Sequence, residues 1–507
     1  MKHALRLSLP LAAALVVAGC GASPDEQFAE ARAAFAAEDF NAARISLTAA
    51  LREQPGSKAM LALLARAQVR LGDGEGALAS LGKLKALGVG GADIARIEAE
   101  ARLLKAEPDK ALALLGTDGS AEAWRLRAAA HLDKGDPLRS LAAFRSGLAA
   151  GADARLAGDY GWFLLSANAL DEARAELAKL KRMAPGGYQA LMLEAAILLR
   201  QGQAKPALAL YEQAAERFPT RFEPQLGESE ALEALGRLDD AAASVARAEE
   251  LAPGHPKVTS ARLRVAAVQG KWDKVRATLQ TGEASLDPQS PEGLLYAEAL
   301  LRLGFVEQAR AQVKRTVLLQ PGNLFARRLL GEAQLAGNDA AGAVESLAPL
   351  ASAFQVTPEE MVLLEKAARA AGSPLVDGWQ ALAASPQLKQ RSAQVMAGEK
   401  ALQEGRWDKA VAAFRGLAAM EENGWVLTNL AYALARSGNG AEAVAVADRA
   451  MAAAPDDPAA LKAAALARIV SATDLARAET LLVEALRLWP MDLEAALLLD
   501  RLRSGAG

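Results

Sequence analysis

Apolar positions along this 507-residue chain come in helix-length blocks separated by short polar breaks, and the breaks keep time. Pro185, Pro219 and Pro253 are thirty-four residues apart, and Pro321 follows two periods later. Gly202, Gly236, Gly270 and Gly304 repeat at the same interval, and Asn338 and Gly372 continue the series. A row of alanines (Ala173, Ala207, Ala241, Ala309) falls five residues after the glycine position. Each period therefore reads as helix, tight turn, helix, stop. The glycine supplies the backbone freedom of the turn, and proline ends the second helix. The β-branched and aromatic runs that mark strands are missing.

Composition agrees. Hydrophobic residues make up 52% of the chain but aromatics only 5%, so alanine and leucine, both strong helix formers, supply most of the buried surface. The expected fold is all-α, with little else to bury than helix against helix.

A thirty-four-residue helix–turn–helix period resembles the tetratricopeptide (TPR) repeat. The segment "AEAWRLRAAAHLDKGDPLRSLAAFRSGLAAGAD" places Trp124, small Ala128, the turn Gly135-Asp136 and Phe144 as that motif does. Ala195 and Ala431 repeat the close approach of Ala128, and Ala443 repeats that of Ala173, Ala207 and Ala241; Tyr211 and Phe414 take the seam position of Phe144. The resemblance implies a right-handed superhelical solenoid of about 14 repeats. Its expected parts are an array over 24–357, a degenerate repeat or joint at 358–390 where Asp377 takes a small-residue slot, a second array over 391–490, and a capping helix with a tail at 491–507. The unit near 92 has a clipped second helix. One unit cannot bury its apolar face alone, so stacking supplies the core.

The first residues follow a different rule. Lys2 and Arg6 precede an apolar segment, Leu7 to Val17, that is too short to span a bilayer and fits the core of a secretory signal. It ends in Val17-Ala18-Gly19-Cys20, which holds the chain's single cysteine. This resembles the lipobox of bacterial lipoproteins, and implies cleavage of residues 1–19, lipidation of Cys20, and a tether of residues 20–23. Gly21 rather than Asp after the cysteine implies the outer membrane, with the body in the periplasm of a Gram-negative bacterium. The stretch "FAAEDFNAARISLTAALREQPGSKAMLALLARAQVRLGDGEGALASLGKLKALGV" then resembles the TPR lipoproteins of PEP-CTERM/exosortase and exopolysaccharide loci, departing from them at Glu38, where a turn glycine is usual.

Candidate chemistry is sparse. With one cysteine no disulfide forms within the chain. The balance of 58 basic and 61 acidic residues gives no support for a nucleic-acid binder, which needs a basic face. Zinc-protease, phosphate-loop and nucleophile-elbow motifs are absent. His131 reads as a packed helix residue and His255 as a solvated loop residue; "GDGEG" at 72–76 falls on a turn. Glu359-Glu360 and Asp456-Asp457 sit at helix starts, where acids suit the dipole. Trp124, Trp272 and Trp407 occupy recurrent packing positions.

Neither catalysis nor a cofactor is expected. The expected role is a lipid-anchored scaffold that binds envelope proteins or peptides on the concave face of the solenoid. By register that face includes Arg125, Arg155, Trp162, Met192, Arg264, Arg328 and Tyr432. The carboxylate-clamp pattern is missing, since Thr428 and Tyr432 occupy those sites in the unit near 424. Exopolysaccharide export or PEP-CTERM sorting is the expected pathway. The alternative is a pilotin-like assembly factor for an outer-membrane secretin or pore.

Overall fold

The computed structural model describes residues 22–151 and 153–505. Cys20 and the preceding leader lie outside the described residues. Among the described residues there are twenty-nine α-helices, one short 3-10 turn and no strand. They form fourteen antiparallel hairpins followed by one further helix, Leu493–Ser504. The all-α architecture and the roughly fourteen helical hairpins expected from the period are what the described residues form.

The markers of the period do the local work assigned to them. Pro185, Pro219, Pro253, Pro321 and Pro455 each stand two residues past the end of a second helix. Ala128, Ala195, Ala431, Ala173, Ala207, Ala241 and Ala443 are all completely buried where two helices approach closely. Phe144, Tyr211 and Phe414 fill the seams between hairpins and are almost inaccessible. Each such side chain contributes roughly 1.5–3 kcal/mol of transfer free energy. The seam tolerates no added volume: a methyl group at Gly227 would sit 2.3 Å from the Tyr211 ring.

The turn after each first helix needs one residue with positive φ. Gly236, with φ of 74°, meets that need without steric cost. Elsewhere the same position is held by Glu38, Ala106, Asn168, Asn338 and Ala472, all with φ between 53° and 61°. The turn at Glu38 therefore keeps its left-handed geometry without glycine.

By packing, the chain divides into two compact units, one ending at Gly116 and one beginning at Thr117. The boundary follows the clipped helix Pro108–Leu115, which has only eight residues. The first unit holds hairpins one to three. The second holds hairpins four to fourteen and the final helix. Inside it, the segment expected to be a joint forms hairpin eleven (Pro358–Ala370 and Val376–Ala384). Asp377 faces solvent there, and Trp379 fills the core instead. Ser385 then caps an eighteen-residue helix, Pro386–Gln403. A second irregularity has no obvious mark in the sequence: Trp272–Gln280 is only nine residues long and gives way to the 3-10 turn Glu283–Ser285.

Glu360 explains one acidic pair. Its carboxylate accepts from Thr357 N at 2.9 Å while Thr357 Oγ1 accepts from Glu360 N at 3.2 Å, a reciprocal cap. His255 is more engaged than a solvated loop residue. It is the N-cap of Pro256–Val268, its Nδ1 accepts from Lys257 N at 3.2 Å, and its ring lies 4.5 Å from that of Phe222.

Candidate binding site at the closure of the second unit

The second unit closes on itself. The final helix, Leu493–Ser504, packs against hairpin four (Ala121–Asp133, Pro137–Ala150) and the first helix of hairpin five (Ala154–Ser166, Leu170–Met183). Ala495, Ala496, Leu497, Leu498 and Leu499 are all buried, so this stretch of the helix has no polar side. Ala496 and Leu497 join the core made by Leu141, Phe144, Leu156 and Leu164. A terminal cap exposes one polar face to solvent. Here the middle of the helix joins the core, while Arg503 and Ser504 at its end face solvent.

Polar groups fix the register of the closure. Arg145 donates to Asp500 Oδ1 at 2.9 Å, and Arg501 pairs with Glu172 at 2.5 Å. At the start of the final helix, Asp492 caps through Oδ1, which accepts from Ala495 N at 3.0 Å. Lys462, from hairpin fourteen (Pro458–Val470, Leu475–Leu488), reaches Asp492 at 2.9 Å and Glu494 at 3.1 Å. Tyr432, from the first helix of hairpin thirteen (Gly424–Arg436), donates to Glu494 Oε1 at 2.7 Å. Arg436 pairs with the same carboxylate. Asn168 completes the set: its Nδ2 donates to Tyr432 Oη at 2.8 Å, and its carbonyl accepts from Arg436 at 3.3 Å.

The network balances its own charge, two cations against two carboxylates. Burial pushes the Tyr432 hydroxyl up to about 12, and Glu494 adds to the shift. Burial opposes the Lys462 ammonium, but the carboxylates of Glu494 and Asp492 outweigh it and hold the group protonated. Removing one partner of such a buried set costs about 3–5 kcal/mol, because the other charge is stranded.

The residues expected on the inner face fall into four groups. Arg125 and Trp162 come together in a cleft of about 310 Å³ between hairpins four and five, which Leu493 of the final helix also lines. Arg125 pairs with Asp159, one period away, at 3.4 Å, and Arg155 lies 4.0 Å from Glu122. Tyr432 is committed to the closure. Met192 is packed in the core with Tyr188 and Leu191 and presents no surface to a partner, because its turn of helix faces the neighbouring hairpin.

Arg264 and Arg328 lie farther along the array and are already matched. Arg264 reaches Glu233 at 2.6 Å, and Arg328 reaches Glu332 at 2.6 Å. Arg302 continues the pattern, bridging Glu298 at 3.0 Å and Glu332 at 2.7 Å. These pairs form a charge-compensated ladder along successive first helices.

Three segments match models described as tetratricopeptide repeat: residues 28–88, 198–265 and 401–469. These three segments are tetratricopeptide repeats, set in an all-α chain of helical hairpins. A curated relative, the cellulose synthase 2 operon protein C of Komagataeibacter xylinus, is 33% identical over 174 residues. That match takes in 32% of this chain and 13% of the relative, so the chain spans a small part of the relative's length. Among solved structures, the APC/C hetero-tetramer Cut9-Hcn1 aligns over 94% of this chain and 96% of its own, at 18% identity and a TM-score of 0.34. TTC0263, a thermophilic TPR protein of Thermus thermophilus, aligns over 36% of this chain and all of its own, at 25% identity and a TM-score of 0.30. YrrB, a TPR protein with an unusual peptide-binding site, aligns over 39% of this chain and 94% of its own, at 14% identity and a TM-score of 0.31.

No group of three or more potential metal ligands occurs among the described residues. None of its described helices is long and apolar enough to cross a membrane. Trp407 departs from the packing role expected of it. Trp272, at the equivalent place, packs beside the core of Leu263, Val275 and Tyr296. Trp407 instead lines an open cleft at the closure, with Tyr432 edge-on at 5.9 Å and Arg436 at 5.6 Å. Sequence reasoning also passed over Lys462 and Glu494. The one available signal was the final helix, "DLEAALLLDRLRS", whose five successive apolar residues leave it no polar side along that stretch.

Proposed function

We propose that this TPR solenoid is a non-catalytic scaffold of the bacterial envelope. In this reading it is anchored through a lipid on Cys20, sits at the outer membrane facing the periplasm, and binds envelope proteins or peptides on its inner face. The observation that carries the binding role is the cleft holding Trp162, Arg125 and Asp159. It sets a half-buried aromatic beside a hydrogen-bonding ion pair, the kind of surface that anchors peptide side chains. The pathway is exopolysaccharide export or PEP-CTERM protein sorting. Support for the former is the 174-residue likeness to a protein named for a cellulose synthase operon.

Two experiments test this reading. Cys20→Ser, followed by membrane fractionation and labelling with a fatty-acid analogue, is expected to abolish labelling and release or leave uncleaved the product; normal membrane retention with a processed signal contradicts the anchor. Affinity capture of crosslinked envelope proteins by the full chain, compared with Trp162→Ala, is expected to show a partner lost in the variant. An identical set of captured proteins contradicts the assignment of the cleft.

A further inference from the structure

The cleft beside Trp407 has a chemistry different from that of the inner face. It has a volume of about 370 Å³, at the lower end of the range for small-molecule sites, about 300–1,000 Å³. Its walls come from parts of the chain that only closure brings together: the turn of hairpin five with Asn168, the turn of hairpin six (Tyr188–Arg200, Ala204–Arg217) with Gln201 and Gln203, Trp407 of hairpin twelve (Pro386–Gln403, Trp407–Met420), and Leu497 of the final helix.

The carboxylates of the lining have arginine partners. Asp171 pairs with Arg174 at 2.8 Å and Glu172 with Arg501 at 2.5 Å, while Glu494 pairs with Arg436 and Glu404 with Arg406. A charged ligand gains little in such a site, because each wall charge is already compensated. A wholly apolar ligand would strand the polar walls. What remains to engage a ligand is an aromatic ring, the amides of Gln201 and Gln203, and ion pairs that still have hydrogen-bonding capacity at their edges. Gln203 Nε2 meets Gln201 Oε1 only at 3.5 Å, which leaves both amides available.

We propose that this cleft binds a neutral, hydroxyl-rich ligand of the saccharide class, with Trp407 as the stacking platform and Gln201 and Gln203 as hydrogen-bonding groups. An aromatic ring suits the C–H face of a pyranose, and amides suit its hydroxyls, which both donate and accept. Since the walls exist only in the closed form, the ligand binds that form alone and stabilises it by mass action. Saccharide binding and closure are thereby coupled.

The test uses the full chain with three probes: cellotetraose, maltotetraose and, as the anionic counterpart, tetragalacturonic acid. Calorimetry reads binding, and hydrogen exchange reads the final helix. At least one neutral tetrasaccharide is expected to bind, and at ten times its Kd to slow exchange in Leu493–Ser504 by about tenfold. Trp407→Ala is expected to weaken it by tenfold or more. The double change Gln201→Ala, Gln203→Ala is expected to weaken it too. Trp489→Ala, at an exposed tryptophan outside the cleft, is expected to leave it unchanged.

No binding of either neutral probe at millimolar concentration overturns the proposal. So does binding of the anionic probe alone, or binding that survives both the Trp407 and the glutamine changes. Protein capture through Trp162 and saccharide binding through Trp407 are read on different variants, so either can fail while the other stands.

Discussion

Asn168 and Tyr432 lie 264 positions apart in the chain, and their side chains meet in a 2.8 Å hydrogen bond. Asn168 holds the positive-φ turn position of hairpin five that glycine holds elsewhere. Asparagine tolerates this conformation better than most residues, and here its amide is also a contact between hairpins five and thirteen. The second unit of the solenoid is thus held as a closed body.

Removing the Tyr432 hydroxyl tests how much the closure depends on its polar centre. Tyr432→Phe deprives Glu494 of a donor and Asn168 of an acceptor while keeping the ring. A loss of about 1–3 kcal/mol is expected, the cost of leaving buried polar groups unsatisfied. Hydrogen exchange should localise the loss to Leu493–Ser504 and the turn of hairpin five around Asn168, with residues 223–351 unaffected.

Leu497→Ala removes apolar burial from the same seam. It should cost about 2–5 kcal/mol, as for other buried leucines. The expected signature is faster exchange and earlier proteolytic cutting of the final helix, with helix content by circular dichroism almost unchanged. Units in a repeat array depend mainly on their neighbours, so loss of the strap leaves the hairpins folded.

Stability should fall as the pH drops below the ordinary histidine value. Burial holds the imidazoles of His131 and His255 below their usual 6.5. The unfolded chain therefore binds more protons than the folded one between each lowered value and 6.5, and unfolding free energy rises with pH across that window. Above 6.5 both forms are neutral and the full contribution is present. His131→Gln is expected to flatten the slope measured by denaturant unfolding between pH 5 and 7, relative to the unsubstituted chain.

Two turns invite stabilisation. Ala106 and Ala472 hold φ of 55° and 53° in the left-handed region, which costs a residue with a Cβ about 1–2 kcal/mol. Ala106→Gly and Ala472→Gly should each raise stability by a few tenths to about 1 kcal/mol, after the greater freedom of glycine in the unfolded chain is subtracted. The reverse change, Gly236→Ala, should lower stability. Thermal melts of the three variants check the signs.

The repeating features were legible because each depends on a few neighbouring residues. Proline two residues past a helix, alanine where helices approach and an aromatic in the seam all act within one or two hairpins. The turn at Glu38 was legible as a departure, though not that it would keep left-handed geometry. Closure was not legible in the same way. Whether Tyr432 meets Asn168 depends on small rotations summed over the hairpins between them, and no local pattern records that sum. Register put Tyr432, Arg125 and Trp162 together on the expected inner face, and the structure places Arg125 and Trp162 in one cleft. It could not tell that Tyr432 would be taken up by Glu494, that Met192 would be covered, or that Trp407, alike in sequence context to Trp272, would border a cleft.

The closure is tested most directly by a double-mutant cycle on Asn168→Ala and Tyr432→Phe, read as the free energy of opening of the final helix by hydrogen exchange. Residues in contact couple by about 0.5–3 kcal/mol, and distant ones add to within about 0.3–0.5 kcal/mol. A coupling of at least about 0.5 kcal/mol is predicted. Simple additivity would contradict the closed solenoid, since two positions 264 residues apart have no other route to sense each other.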